Sequence, residues 1–174
     1  MHVAVIGRNK KAIEDLLRRA GFSLVESDPQ MVVSFGGDGT LMRAEAIYPG
    51  IPKIILKDSM ICKKCSSFSN EEVLKKVSDG RYVIEALPKL EVEADGKKLS
   101  GMNDIIVHNK DSRHAIRYRI KVGGKDIGHE IIGDGIVVAT PFGSTAYFKS
   151  ITDSFFEVSI GLAFNNSKIG RAHV

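Results

Sequence analysis

No apolar run in the 174-residue sequence is long enough to span a membrane, which takes about 20 consecutive apolar residues. The chain starts with an apolar strand, His2 to Gly7, and lacks the basic start and cleavage pattern of a signal peptide. We therefore expect a cytoplasmic protein. Basic residues exceed acidic ones by only 25 to 21 and form no strong cluster, which argues against nucleic acid and favours a small anionic partner.

Cysteine is equally scarce, since the two cysteines of the chain both stand in Cys62-Lys63-Lys64-Cys65. A structural zinc site normally needs a second pair of ligands, and the five histidines do not supply one at matching spacing. We therefore assign no metal ion to protein side chains. In a reducing cytosol, the two cysteines are expected to be free thiols.

The first 80 residues alternate short apolar runs with helical patterns, which predicts an α/β domain with a parallel sheet. Strands are predicted at 2–7, 23–26, 31–35 and 53–56. Helices are predicted after Asn9 as N-cap, up to Gly21 as C-cap, then at 41–48, and at 70–77 with Ser69 or Asn70 as the cap.

The sequence pattern changes after Gly80, where no long helical pattern follows. Residues 81–174 are predicted to form an antiparallel β domain joined near Asp79-Gly80. The turn signals Asp95-Gly96 and Gly123-Gly124 indicate hairpins. Strands are predicted at 82–84, 89–93, 98–99, 104–107, 117–122 and 131–139, the last interrupted by Gly133-Asp134-Gly135.

A glycine-rich loop, Gly36-Gly37-Asp38-Gly39-Thr40, stands between a buried strand and a helix. Glycines let the backbone approach a phosphate, and the first N–H groups of a helix lack intrahelical partners. Asp38 adds negative charge beside phosphate, which makes sense if it handles a proton or a metal. The alternative is a tight turn in which Asp38 is only a cap. The loop is neither a Walker A motif nor a dinucleotide Gly-x-Gly-x-x-Gly motif.

This loop resembles a signature shared by NAD kinases, by diacylglycerol and sphingosine kinases and, more loosely, by phosphofructokinases. The following residues, Leu41 to Glu45, lack the Asn-Glu-Val-like stretch of the lipid kinases. Asn103-Asp104 entering a strand and the long segment Gly133 to Tyr147 resemble two further NAD kinase motifs. The resemblance to that family extends from residue 2 to about residue 150.

The resemblance implies a Rossmann-like N-terminal domain of the NAD kinase and diacylglycerol kinase type, followed by the β domain. It also implies transfer of a phosphoryl group from ATP, or from polyphosphate, to the 2′-hydroxyl of the adenosine ribose of NAD, giving NADP. Mg²⁺ or another divalent cation would accompany ATP. Asp38 would be catalytic, and the expected NAD- or ATP-binding residues are Asp38, Gly39, Arg43, Asn103, Asp104, His114, Asp134, Thr145, Ala146, Tyr147, Phe148, Lys149 and Ser150.

The chain departs from the family pattern at Phe142 and at Ser150 to Ser154, and it ends at Val174 with fewer strands than family members usually have. It could be a compact member, a fragment, or a chain completed by a partner. Because an unfinished sheet exposes an edge, we expect a homo-oligomer, a dimer or a tetramer. Two alternative functions remain: a lipid or small-molecule kinase with the same loop, and a non-catalytic nucleotide-binding homologue.

Overall fold

The apolar runs of the first half of the chain form a parallel sheet. The computed structural model describes residues 1–167, and the chain divides into a first unit, Met1 to Glu85, and a second unit beginning at Ala86. The strands of the first unit pair in the order β2-β1-β3-β4, all parallel. Their bounds are β1 His2–Ile6, β2 Ser23–Leu24, β3 Met31–Gly36 and β4 Lys53–Lys57, and the helices are α1 Lys11–Arg19, α2 Asp38–Ile47 and α3 Asn70–Ser78.

Helices cover both faces of this sheet. Alternate side chains of β3 point to opposite sides and pack against these helices. Val32 packs with Ala4 of β1 and Ala44 of α2 on one face. The core of the other face joins β3 to α1 and α3 and includes Met31, Val33, Phe35, Ile13, Leu17, Leu74 and Val77. Since β3 is buried throughout, it reads as a continuous apolar run, as central strands of parallel sheets do.

The helix ends test the predicted caps. Gly21 follows α1 with a φ of +85°, so the predicted C-terminal glycine is confirmed. The Asn9 cap is wrong: the N-cap is Lys10, no side chain caps the helix, and Asn9 contributes only its backbone carbonyl to the first turn. The Ser69 cap is confirmed, and Ser69 and Glu72 form a reciprocal capping box at the start of α3.

The second unit consists mainly of antiparallel strands, as the sequence predicted. Strands β5 with β6 and β8 with β9 form hairpins, and β11, β10 and β7 pair in that order. Both residues of Asp95-Gly96 and of Gly123-Gly124 have positive φ, which confirms the predicted hairpin turns. The bounds are β5 Leu90–Ala94, β6 Lys97–Gly101, β7 Asp104–His108, β8 Ile116–Val122, β9 Lys125–Gly133, β10 Gly135–Ala139 and β11 Gly161–Asn165.

Other parts of the prediction differ from the structure. The strand predicted at 82–84 is wrong, since these residues form no strand within the described chain and the Val83 side chain is 93% exposed. By contrast, the predicted interruption of the strand region 131–139 is confirmed, since β9 ends at Gly133 and β10 begins at Gly135. Strand β11, the π-helical turn Ser144–Phe148 and helix α4 Lys149–Thr152 were not predicted. The boundary between the two units follows Glu85, whereas the junction of the two domains was predicted near Asp79-Gly80. The predicted end of the β domain, Val174, lies outside the described residues. None of the helices within residues 1–167 combines the length and apolar character that a membrane span requires.

Candidate functional site

The glycine loop of the first unit turns directly from β3 into α2. Gly37 is the N-cap residue with extended backbone, and Asp38 is the first helical residue, so α2 starts three residues before the predicted Leu41. A Cβ at Gly36 would collide with the side chain of Thr40, which explains why glycine ends the strand. The loop therefore presents Asp38 and the first-turn amides of α2 at the end of a buried parallel strand, where ligands of open α/β sheets bind.

Gly39 stands in the first turn of α2 for a different reason. It has no positive φ, and a Cβ built on it would meet no atom within 4 Å. Neither the backbone conformation nor the packing of the first unit therefore requires glycine at this position. The missing side chain leaves open space beside the first helical amides, which is the room that a phosphate group needs.

The Asp38 carboxylate contacts the segment between β4 and α3. Its Oδ1 accepts a hydrogen bond from the Lys64 backbone N–H at 3.1 Å, and its Oδ2 accepts one from the Lys63 N–H at 3.3 Å. The Sγ of Cys62 lies 3.5 Å from Oδ1. Burial lowers the pKa of the Lys64 ammonium group, and the nearby Asp38 carboxylate partly offsets this effect.

Cys62 and Cys65 form a disulfide, so the expectation of free thiols is wrong in this structure. Two residues separate the cysteines, and the turn between them brings their Cα atoms to 5.4 Å, within the range that a disulfide needs. Within the described residues, no group of three or more His, Cys, Asp or Glu side chains could hold a metal ion. Arg43, expected to reach a phosphate, is an exposed residue of α2.

Asn103 and Asp104 lie at the start of β7 in the second unit. The buried Thr140 accepts a hydrogen bond from Gly143 N–H and donates its hydroxyl to the carbonyl oxygen of Met102 at 2.7 Å, with the Asn103 carbonyl oxygen at 3.1 Å. The side-chain Oδ1 of Asn103 is buried and has no hydrogen-bond partner within the described chain. Burial also raises the pKa of the Asp104 carboxyl group. A buried acceptor without a partner, such as Asn103 Oδ1, destabilises the folded chain unless a ligand or water donates a hydrogen bond to it.

The segment Gly133-Asp134-Gly135 joins β9 to β10. Its glycines are imposed by close neighbours, since a Cβ on Gly133 would lie 2.9 Å from the Asn165 carbonyl oxygen and one on Gly135 would collide with the Val107 carbonyl oxygen. Asp134 has no positive φ, so it is not a left-handed turn residue. Its carboxylate accepts hydrogen bonds from the Asn109 side chain at 3.4 Å and from the Asn166 side chain at 3.0 Å.

Asp134 and Tyr147 line one cavity of the second unit, with a volume of about 430 Å³. The side-chain amide of Asn165 donates to the Tyr147 hydroxyl at 3.3 Å. Carboxylate, amide and hydroxyl groups therefore share a pocket with an aromatic ring, a combination suited to a sugar or a heteroaromatic ring. The lining residues are Ile106, His108, Asn109, Ser112, Asp134, Gly135, Ile136, Tyr147 and Asn165.

The remaining expected site residues of the second unit are not among those that line this cavity. Phe148 was expected in the ligand pocket, but its side chain is in the core with Val137, Ala139 and Ala163 and contacts Phe156 edge-to-face. The ring is buried in a cluster with residues of β10 and β11, and Ile151 of α4 packs against this cluster. The other expected residues of this unit are half-buried or exposed: Thr145, Ala146, Lys149, Ser150 and His114.

His114 lies in the turn after β7. Its ring faces Asp111, with Nδ1 3.4 Å from the carboxylate, and its carbonyl oxygen accepts a hydrogen bond from the Asn109 side chain. Hydrogen bonds from Arg113 lower the pKa of Asp111 to about 2. His114 is therefore adjacent to the pocket-lining Asn109, although it does not line the cavity itself.

Sequence reasoning missed several polar residues of this region. Thr140 lies within the segment Gly133 to Tyr147, but the sequence did not indicate that its buried hydroxyl bonds the backbone around Asn103 and Gly143. Asn109, Asn165 and Asn166 were not singled out, because asparagines after a strand ordinarily indicate turns. Their common signal is position, since all three follow or end strands that flank β10.

Comparison with known proteins shows which proteins the chain is similar to. No protein-family model matches the chain. The NAD kinase of Sulfurisphaera tokodaii is 30% identical over 148 residues, which are 82% of this chain and 56% of that protein. The NAD kinase of Bacteroides fragilis is 31% identical over 132 residues, 71% of this chain and 45% of that protein.

Solved structures agree with the sequence relatives. A crystal structure of an NAD kinase from Archaeoglobus fulgidus in complex with ATP matches with a TM-score of 0.78 at 24% identity, covering 98% of this chain and 74% of that chain. Yeast NADH kinase complexed with NADH matches with a TM-score of 0.77 at 17% identity, covering 100% of this chain and 64% of that one. The chain belongs to the NAD kinase family. The resemblance and the fold predicted from its three motifs are thereby confirmed.

This NAD kinase family chain spans about half the length of the curated relatives it matches, 56% and 45% in the two cases above. The motif residues of the family fall into both units: Asp38, Gly39 and Arg43 into the first, and the remaining expected residues into the second. The role of each residue stays a prediction.

Proposed function

We propose that this chain carries the NAD kinase reaction, the transfer of the ATP γ-phosphoryl group to the 2′-hydroxyl of the adenosine ribose of NAD. The observation that carries the proposal is the position of Asp38, a carboxylate in the first turn of α2 next to an open, glycine-lined helix start. The names of the curated relatives support the choice of NAD as acceptor. Polyphosphate is the alternative donor.

Asp38 would align the 2′-hydroxyl and take its proton. The bond from the 2′-oxygen to the γ-phosphorus forms as the bond to the β,γ-bridging oxygen breaks, so that ADP leaves and NADP is the product. This reaction depends mainly on positioning and charge neutralisation rather than on covalent catalysis by the protein. The first-turn amides at Gly39 and, from its exposed position on α2, the guanidinium of Arg43 would contact phosphate oxygens.

In the second unit, the proposed ligand contacts involve a buried acceptor without a hydrogen-bond partner and polar or aromatic side chains that line the cavity. The unsatisfied Asn103 Oδ1 would accept a hydrogen bond from an amino or hydroxyl group, and Asp104 lies beside it. Asp134 would bind a ribose hydroxyl or the nicotinamide amide, and Tyr147 would offer a stacking face within the cavity. Thr145, Ala146, Lys149, Ser150 and His114 are the further proposed binding residues, whereas Phe148 contributes through the core.

Mg²⁺ fits the first unit only through a single protein ligand. Since the described residues offer no cluster of three or more ligating side chains, a divalent cation would be held by Asp38 together with the phosphates of ATP, as Mg²⁺ sites commonly are. When bound, the ion would offset the charge of the phosphate oxygens.

We further propose a cytoplasmic homo-oligomer. Within residues 1–167, neither β7 nor β11 pairs with a further strand on its outer side, and Ile106 and Val107 of β7 are 44% and 50% exposed. Such an edge invites pairing. Light scattering should give a mass of two or four chains, and a monomeric mass would contradict the proposal.

The test of the proposed reaction is NADP formation from NAD, ATP and Mg²⁺ by the chain, with a lipid alcohol offered in a parallel reaction. ATP-dependent NADP supports the proposal. Phosphorylation of the lipid alcohol without NADP would instead indicate a lipid-kinase activity, and a thermal shift with NAD without any turnover would indicate a non-catalytic binding protein.

A further inference from the structure

A disulfide-closed turn lies against the glycine loop of the first unit. We define this cysteine turn as residues 62–65. The Cys62 Sγ is 3.5 Å from Asp38 Oδ1, and the Cys65 Sγ is 3.8 Å from the Gly36 carbonyl oxygen. The preceding Ile61 carbonyl oxygen lies 3.1 Å from the place where a Cβ on Gly37 would stand. The turn therefore contacts Gly36 and Asp38, and its flank lies beside Gly37.

The cysteine turn also occupies the Asp38 carboxylate. The backbone N–H of Lys63 donates to Oδ2 and that of Lys64 to Oδ1, so both oxygens already accept a hydrogen bond. The two N···O distances, 3.3 Å and 3.1 Å, lie at the long end of the range for N–H···O hydrogen bonds. The two hydrogen bonds take one of the two acceptor positions on each oxygen and so restrict the directions from which a substrate hydroxyl can approach Asp38.

The disulfide holds the two amides in this arrangement. It closes a ring across only two intervening residues and brings the Cα atoms of Cys62 and Cys65 to 5.4 Å. Without the bond, the turn regains backbone freedom, and ordering it against Asp38 then costs conformational entropy that the disulfide would otherwise remove. The oxidised form therefore favours the two backbone hydrogen bonds to Asp38, and the reduced form disfavours them.

We propose that Cys62 and Cys65 form a redox site that controls access to Asp38: the disulfide keeps the cysteine turn on the carboxylate, and reduction releases it. The proposal rests on the catalytic role proposed for Asp38. Disulfides of cytosolic proteins are usually transient and catalytic or redox-sensing, which agrees with a control site in a protein proposed to be cytoplasmic.

The reductant would be a dithiol, either a small molecule or a protein. Its thiolate attacks one sulfur of the Cys62–Cys65 bond, which gives a mixed disulfide with that cysteine and releases the other cysteine as a thiol. The second thiol of the reductant then displaces the cysteine held in the mixed disulfide. The disulfide gains two electrons and two protons and becomes two thiols, while the dithiol is oxidised to a disulfide. Cys62 and Cys65 are both half-buried rather than fully buried, so a small dithiol can reach them.

The first test compares NADP formation by the full chain in its oxidised form and after reduction with dithiothreitol. We expect kcat/KM to be roughly tenfold higher in the reduced form, the effect of losing about one charged hydrogen bond to the nucleophile-aligning group. The variants Cys62→Ser and Cys65→Ser should match the reduced form and no longer respond to dithiothreitol. Equal rates in the two redox states, or a faster oxidised form, would overturn the proposal.

A second variant separates the backbone amides from the lysine charge. Lys64→Met keeps the N–H group that binds Asp38 and removes the ammonium group. If the amides hold the carboxylate, this variant keeps the difference between oxidised and reduced rates. If the difference disappears, the ammonium group rather than the disulfide-held backbone controls Asp38, and the proposal is wrong.

Amide hydrogen exchange tests the redox site independently of any activity. The Lys63 and Lys64 amides should exchange slowly in the oxidised chain and at least about tenfold faster after reduction, or in oxidised Asp38→Ala, because each loses its acceptor. If no NADP forms in either redox state, the proposed reaction fails, and the exchange rates alone then decide the redox site. Exchange that does not depend on the disulfide would refute it.

Discussion

Gly37-Asp38-Gly39 and Gly133-Asp134-Gly135 have the same three residues and use them differently. In the second segment, the backbones of neighbouring strands leave no space for a Cβ on either glycine. In the first, Gly39 has open space around it and an ordinary backbone conformation. Glycine is thus a packing requirement at 133 and 135, whereas at 39 it leaves room that the fold itself does not use.

The two aspartates differ in a corresponding way. Asp38 accepts hydrogen bonds from backbone amides of the cysteine turn, while Asp134 accepts them from the side chains of Asn109 and Asn166. Side-chain amides can reorient around a ligand, so Asp134 suits binding. The position of Asp38 at the start of α2 suits contact with a reacting phosphate. The comparison teaches that equal motifs need to be read with their neighbours.

The largest expected effect separates the two aspartates by kinetics. Asp38→Asn should lower kcat by roughly 10²–10⁴-fold, because the amide cannot take the proton, while the affinity for NAD changes little. The matched change Asp134→Asn should mainly raise KM for NAD. Steady-state NADP formation and NAD titration check both variants, and an active Asp38→Asn protein would refute the proton role.

Gly135→Ala should give the largest loss of stability. Its Cβ would collide with the Val107 carbonyl oxygen and lie 2.9 Å from the His108 Cα, and backbone atoms cannot move aside as the end of a side chain can. We expect a loss of about 3 kcal/mol in the free energy of unfolding, measured by urea denaturation. A variant as stable as the parent would show that β7 and β10 do not need this close approach.

Gly39→Ala should have the opposite outcome. Its methyl group meets no atom, so the free energy of unfolding should stay the same or rise by up to about 1 kcal/mol, since alanine favours helix. The methyl group would nevertheless occupy the space proposed for phosphate, and KM for ATP should rise roughly tenfold, about 1.4 kcal/mol. Unchanged kinetics would remove the argument that this space serves a ligand.

The smallest effect concerns two carboxyl groups of the second unit whose pKa values shift in opposite directions. Burial raises the pKa of Asp104, so its contribution to stability is present below about pH 3.8 and is lost as the pH rises through the folded-state pKa. Asp104→Asn should therefore gain stability relative to the parent between acidic and neutral pH. Thermal unfolding across this range checks the trend.

Asp111→Asn is the control with the opposite sign. Arg113 lowers the pKa of Asp111 to about 2, so its stabilising contribution is present above about pH 3.8 and is lost as the pH falls towards 2. This variant should lose a little stability at neutral pH and nothing at the acidic end. Parallel curves for Asp104→Asn and Asp111→Asn would contradict the assigned causes.

The sequence predicted most of the first unit because its elements have strong local signals. A fully buried strand such as β3 is continuously apolar, and Gly21 and Ser69 mark helix ends by their own chemistry. The start of α2 was placed too late, since a helix beginning with Asp-Gly has no apolar periodicity in its first turn. The strand at 82–84 was predicted wrongly, because an apolar run does not reveal whether a partner strand exists.

The candidate site was predictable only in part. Its motif residues follow from resemblance, but the burial of Phe148 and the isolation of Asn103 Oδ1 depend on packing between elements far apart in sequence. The contact between the cysteine turn and Asp38 joins residues more than 20 positions apart. Spacing alone could not indicate such a contact, and the expectation of free thiols came from the assumed reducing cytosol.

The most direct test of the central claim is a crystal structure of the reduced chain with NAD bound. We expect the 2′-hydroxyl of the adenosine ribose within about 3 Å of the Asp38 carboxylate, the distance that proton transfer requires. Adenosine ribose bound away from Asp38, with the carboxylate still held by the Lys63 and Lys64 amides, would contradict the claim that Asp38 aligns the reacting hydroxyl.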